Sequence, residues 1–228
     1  MQCSLYGKVP AKRDFIAIGA PREFLNAWEP WLQGAISASR NELGDKWQSA
    51  FLTAPIWRFW LGGDICGRTV IGAFMSSLDG VGRYFPLTLF ACADDNAAIP
   101  PPEFGSQDGW FDTVETFLMS TLDHGAKFEA MTAELSALPP PFQELPKTPP
   151  DTGSVDNGPH AMPIRGQNFS ELFNSVRLRD HAKIYAGSTF WWTIGGEGIA
   201  PVALSGKGMP DPFLFSAMLT GEFANAPA

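Results

Sequence analysis

Histidine and cysteine are scarce, three of each in 228 residues, and neither is spaced for chemistry. His124, His160 and His181 form no HxxxH or HExxH pattern, and Cys3, Cys66 and Cys92 form no CxxC pair, so the spacings that hold zinc are missing. No metal and no other cofactor is expected. An odd number of unpaired cysteines argues for a reducing compartment over a disulfide framework, with three buried free thiols. Basic charge is also short: 16 Lys and Arg stand against 24 Asp and Glu, a formal net charge of −8. Nucleic acid and anionic membrane would both repel such a chain. No run approaches the ~20 apolar residues of a membrane span. Lys8, Lys12, Arg13 and Asp14 interrupt the N-terminal stretch where a signal peptide needs a sustained apolar segment. A soluble cytoplasmic protein is expected.

Catalytic motifs are missing as well. A serine hydrolase needs GxSxG, and neither "FMSSLDG" nor "AGSTF" supplies it. In "TIGGEGIAP", Gly196 and Gly198 make GxG, but Pro201 takes the third glycine position of a dinucleotide fingerprint. In "PVALSGKGM", Pro201 replaces the leading glycine of a phosphate loop, and Gly208 stands where the metal-binding Ser or Thr belongs. Both stretches read as turn glycines.

What is abundant is aromatic: 13% of residues, eight of them tryptophan, against 18% charged. That suits a dense core with some apolar surface left for a partner. From Pro21 to Leu43, Phe24, Leu25, Trp28, Trp31, Leu32, Ala35 and Ile36 trace the stripe of an amphipathic helix, which Pro30 should kink or restart. Val70, Ile71 and Phe74 favour a strand, and "RYFPLTLFACA" reads as the next, with Pro86 at its end or edge. Two helices follow, one capped by Asp108 and ended by Gly125, the other running from Ala126 to Leu138. Residues 139–165, with eight prolines from Pro139 to Pro163, read as an extended connector between an N-terminal region, 1–138, and a C-terminal segment, 166–228, expected to pack on the same domain. In that segment a short helix near Ser170, an aromatic strand or hairpin in "AKIYAGSTFWWTIGG" and a last helix opened by Asp211 and Pro212 are expected. The loose alternation of helices and strands favours α/β layers.

Several residues could serve recognition. "YGKVPAKRDFI" mixes Lys8, Lys12, Arg13 and Asp14 with Tyr6 and Phe15, and reads first as a solvated loop with an internal ion pair. In "WRFW", Arg58 lies between Trp57 and Trp60, with packing of the rings favoured over stacking of the guanidinium on one of them. In "TFWWT", a strand would send Trp191 and Trp192 to opposite faces, one to the core and the other to a partner. In "SSLDGVGRYFPLTL", Gly80 and Gly82 can supply positive φ, Asp79 can accept backbone N–H bonds in a tight turn, and Arg83 can pair with Asp79 or anchor a neighbouring loop.

Taken together, "YGKVPAKRDF", "LTAPIWRF", "SSLDGVGRYFPLTL" and "FWWTIGG" resemble, in order, segments of the TagF (ImpM) family of type VI secretion-associated proteins. The chain departs from the usual pattern at Arg13, where members carry glycine, and at Ser76 and Gly80 within the Pro-Ser-x-Asp-Arg stretch. The resemblance implies a three-layer α/β/α sandwich, here expected around a mixed sheet. It also implies a non-enzymatic cytoplasmic role, post-translational repression of type VI secretion assembly, exerted by binding secretion components such as a forkhead-associated scaffold protein. Some members are fused to a PP2C-like phosphatase domain; here any dephosphorylation is expected to need a separate protein. No catalytic residue comes with the resemblance. Lys8, Asp14, Trp57, Arg58, Asp79, Arg83 and Trp192 are the candidate recognition residues, with a small-molecule sensor or enzyme whose pocket Asp79, Arg83 and Arg58 line as the alternative.

Overall fold

The computed structural model describes residues 1–94, 98–123, 125–142, 168–196 and 198–223. Its centre is a seven-stranded sheet built from β1 (Cys3–Gly7), β2 (Ile16–Ile18), β3 (Trp57–Leu61), β4 (Val70–Met75), β5 (Leu87–Cys92), β6 (Ser188–Thr193) and β7 (Val202–Lys207), in the order β2-β1-β5-β4-β3-β6-β7. The layered α/β class agrees with expectation. The sheet is not mixed, however, because every ladder between these strands is antiparallel. Antiparallel neighbours need no helical crossover, so residues 76–86 carry the chain from β4 to β5 and residues 194–201 from β6 to β7. Strands from both sides of the proline-rich stretch share this sheet, since Arg58 of β3 lies opposite Trp192 of β6. Of that stretch, residues 143–165 lie outside the described residues.

The period of two along the central strands splits the apolar residues between two cores. On one face, Tyr6, Trp57, Phe59, Phe74, Phe90 and Trp191 meet α1 (Arg22–Leu43), α2 (Trp47–Thr53) and α8 (Leu214–Thr220). On the other, Leu5, Trp60, Ile71, Leu87 and Leu89 meet α4 (Asp108–Ser120) and α5 (Phe128–Ala137). Three more α-helices, α3 (Gly63–Cys66), α6 (Phe169–Arg179) and α7 (His181–Ile184), and two single-turn 3-10 helices, Gly44–Lys46 and Pro102–Phe104, complete the described elements. The first face is largely aromatic. Phe24 stacks on Phe90 at 3.7 Å between ring centroids, and Trp28 stacks on Trp191 at 5.7 Å. Trp28 Nε1 donates to Thr88 Oγ1 at 3.2 Å, which gives the one polar atom of a fully buried ring a partner.

Helix α1 corrects one expectation. It runs through Pro30 as a single helix of 22 residues. Pro30 is exposed while Phe24, Trp28, Trp31, Leu32 and Ala35 are buried, so the carbonyl that loses its bond to the ring faces water and the packed face is preserved. Asp108 is another correction: the cap position is Gln107, whose side chain bonds the Phe142 backbone and makes no capping bond, while Asp108 is the first helical residue and its carboxylate accepts from Ser106 Oγ and Arg58. The last residue of α4 is Ser120, short of Gly125. The stretch that resembled a broken phosphate loop is β7 and the turns beside it. Gly195 has φ +90, and a Cβ there would lie 2.4 Å from the Ile199 carbonyl oxygen, so glycine is required at this bend.

Candidate functional site

The strongest polar constellation lies at one end of β1 and β4. Lys8 directly follows β1, and its side chain is sealed by Phe15, with Nζ 4.9 Å from the ring centroid. Asp79 sits in the loop after β4, is fully buried (0% exposed), and receives the Lys8 ammonium at 2.9 Å. The same Oδ2 accepts Arg83 Nε at 2.7 Å, while Oδ1 accepts the backbone N–H groups of Val81 at 3.1 Å and Arg83 at 2.9 Å. Four N–H donors thus converge on one carboxylate. Burial pushes this carboxyl up, but the Arg83 N–H, the Lys8 and Arg83 side chains and the Val81 N–H together hold it far below the usual carboxylate range.

These bonds tie two loops together. Ser77 Oγ donates to the Lys8 carbonyl at 2.8 Å, Gly80 N–H donates to the Lys12 carbonyl at 2.7 Å, and Arg83 Nη2 donates to the Arg13 carbonyl. Gly80 is present for close approach, since a Cβ would meet the Pro10 carbonyl oxygen at 2.9 Å; of the two loop glycines only Gly82 has positive φ, +84. Both readings of Arg83 hold, as partner of Asp79 and as anchor of the facing loop.

The expected internal ion pair of the N-terminal loop is absent. Lys8 pairs with Asp79, and Asp14 is exposed and takes no partner among the described residues. The structure does not bring Arg58 to Asp79 and Arg83 either. Arg58, 2% exposed, projects from β3 onto α4, where Glu115 accepts Nε at 2.6 Å, Asp108 accepts Nη1 at 3.1 Å and Asp112 lies 3.7 Å from Nη2. Its guanidinium lies over Phe111, 4.7 Å from the centroid, and not over a tryptophan of "WRFW". Trp57 packs on the opposite face and donates to the Met218 carbonyl at 2.9 Å. Trp191 and Trp192 do face opposite sides: Trp191 is in the aromatic core, and half-buried Trp192 meets Phe111 edge-on.

The three acids of α4 were missed as partners of Arg58. Their spacing, 108, 112 and 115, lays them along one helix face and was the available signal. Other reactive side chains are poorly placed for chemistry. All three cysteines are free, and burial pushes the Cys66 thiol up to about 12 and those of Cys3 and Cys92 up to about 11. His181 is buried with Nδ1 2.8 Å from the Leu178 carbonyl oxygen; His124 and His160 lie outside the described residues. Among the described residues no cluster of three His, Cys, Asp or Glu is placed to hold a metal ion, and no helix is long and apolar enough to cross a membrane.

The described residues define a layered antiparallel α/β module whose buried charges bind loop to loop and helix to sheet. Comparison supplies the family. The TagF N-terminal domain, described as type VI secretion system-associated, matches residues 4–138, and the chain belongs to the TagF family. The crystal structure of PA0076 from Pseudomonas aeruginosa PAO1 is similar throughout, with 32% sequence identity and a TM-score of 0.80, covering 100% of this chain and 98% of that one. No curated protein matches the chain significantly.

Proposed function

We propose that this protein is a non-enzymatic cytoplasmic regulator that represses assembly of a type VI secretion apparatus after its components are made. It acts by binding a scaffold component, such as a forkhead-associated protein. The observation that carries this reading is the family match over residues 4–138. The site supports it too. Asp79 is saturated by four donors and stays ionised far below neutrality, which makes it a poor general acid or base. Arg58 is committed to α4 and the thiols are held protonated, so the sensor or enzyme alternative around Asp79, Arg83 and Arg58 has less support. A repressor of this kind needs only a higher affinity for the unassembled form of its target, because differential affinity alone shifts an assembly equilibrium.

The test is affinity capture of the tagged chain from its host while the secretion system is active, with bound proteins identified by mass spectrometry. Recovery of a secretion component is expected, at a stoichiometry below that of the assembled apparatus. Recovery of none overturns the proposal, and equimolar recovery with the apparatus points to a structural subunit.

A further inference from the structure

We infer that the stitched pair of loops, Lys8–Phe15 and Asp79–Arg83, forms a docking surface for an acidic protein segment that carries apolar side chains beside its carboxylates. The inference rests on the proposed binding function and names the surface that performs it.

Charge is the first observation. The two loops hold Lys8, Lys12, Arg13 and Arg83 against Asp14 and Asp79, a positive patch on a chain of net charge −8. Asp79 is buried and spent on its four donors, so the charge that reaches solvent comes from Lys12, Arg13, Arg83 and Asp14. Such a patch acts locally, within the ~10 Å over which charges are felt at moderate salt. The field of the rest of the molecule turns away a long polyanion. A short acidic segment therefore fits the charge distribution better than nucleic acid or a lipid surface.

The second observation is a prepared arginine. Arg83 is held by Asp79 at Nε and by the Arg13 carbonyl at Nη2, yet its side chain remains 59% exposed and Nη1 has no partner among the described residues. The cost of fixing a long side chain has been met within the fold, which leaves donors ready for a carboxylate. Arg13 is exposed next to it and uses only its backbone carbonyl in the latch.

Apolar exposure is the third. Phe15 is 51% exposed although Tyr6 stacks on it and Phe85 meets it edge-on at 4.7 Å, and Val81 is 56% exposed at the tip of the turn. Lys12 then links the patch to a groove of ≈ 550 Å³ along α5, lined by Phe128, Glu129, Thr132, Ala133 and Ser136, where the ammonium lies 4.2 Å from the Phe128 centroid. Glu129 is the acid on that side. A free small anion would leave Phe15, Val81 and this groove uncovered, whereas an extended segment covers them.

The experiment is zero-length carbodiimide coupling, which joins a lysine amine to a carboxylate in direct contact, applied to the full chain in its host and followed by mass spectrometry. Wild type is compared with Arg13→Glu/Val81→Glu and with Lys207→Glu on the far edge strand. Neither Arg13 nor Val81 contributes its side chain to the latch, and unchanged urea midpoints verify the fold. The expected result is coupling of Lys12 to an Asp or Glu of an identified secretion component, reduced at least tenfold in the double variant and unchanged in Lys207→Glu. Capture of the component by wild type and double variant alike overturns the surface and leaves the binding function standing. Coupling of Lys12 to a second copy of this chain also overturns it. Failure of wild type to capture any secretion component removes the proposed function and this inference with it.

Discussion

Asp79 and Arg58 are both buried charges, and they are near mirror images. Asp79 is one carboxylate among two cations and two backbone N–H groups, all drawn from two loops. Arg58 is one guanidinium among three carboxylates, all from a single helix. The surroundings differ in what they leave behind when broken. Lys8 is buried like its partner, whereas Asp108 and Asp112 keep 65% and 75% of their side chains in water and only Glu115, at 16%, is shielded. A buried cation stripped of its anion has nowhere to go; exposed acids stripped of a cation simply hydrate. The first cluster therefore fixes a surface, and the second fastens a helix to the sheet.

The largest effect should come from Asp79→Ala, which strands Lys8 and removes the acceptor of both turn N–H groups; a loss of ~3 kcal/mol is expected from breaking a buried charge pair. Urea denaturation measures it. Arg58→Met keeps the aliphatic packing on Phe111 and should cost only about 1–2 kcal/mol, because the remaining acids reach water. Equal losses in the two variants would erase the distinction drawn above. Gly82→Ala follows, at about 1 kcal/mol, since its φ of +84 is disfavoured for a residue with a Cβ even though nothing crowds the position. Val81→Glu should lie within about ±0.5 kcal/mol in the same assay, as an exposed side chain without partners.

Acid sharpens the comparison. The Asp79 carboxyl is held below its ordinary value of 3.8 in the folded protein, so the unfolded chain binds the proton first as pH falls. The stabilisation is complete above that ordinary value and is lost progressively below it. The urea midpoint of the wild type should fall steeply below pH ~4, and Asp79→Asn should flatten that fall. An unchanged slope in the variant would show that other carboxylates govern acid unfolding.

The legible parts of this molecule are those whose chemistry is local. The turn at Asp79 was readable because its carboxylate serves N–H groups two and four positions on, and β4, β5 and β6 carry apolar and β-branched runs that declare themselves. Strands β1 and β2 went unread, and the stretch across their connection was given an internal ion pair, because the partner that neutralises Lys8 lies 71 positions away. Strand β7 is an edge strand, mostly exposed, and lacks the alternation that marks one. Strand direction was likewise a property of pairing, which only the assembled sheet displays. The Arg58 clamp joins residues 50 to 57 positions apart, so nothing local to α4 marked its acids as partners of Arg58.

The central claim is that the protein works by occupancy of a secretion component, not by turnover. It is tested most directly by counting assembled type VI secretion apparatus in host cells that lack this protein, express it normally or overproduce it. Occupancy predicts more assemblies without the protein and fewer with excess, in proportion to its amount, and no repression by Arg13→Glu/Val81→Glu at equal abundance. Assembly that does not change with the amount of protein would contradict the account.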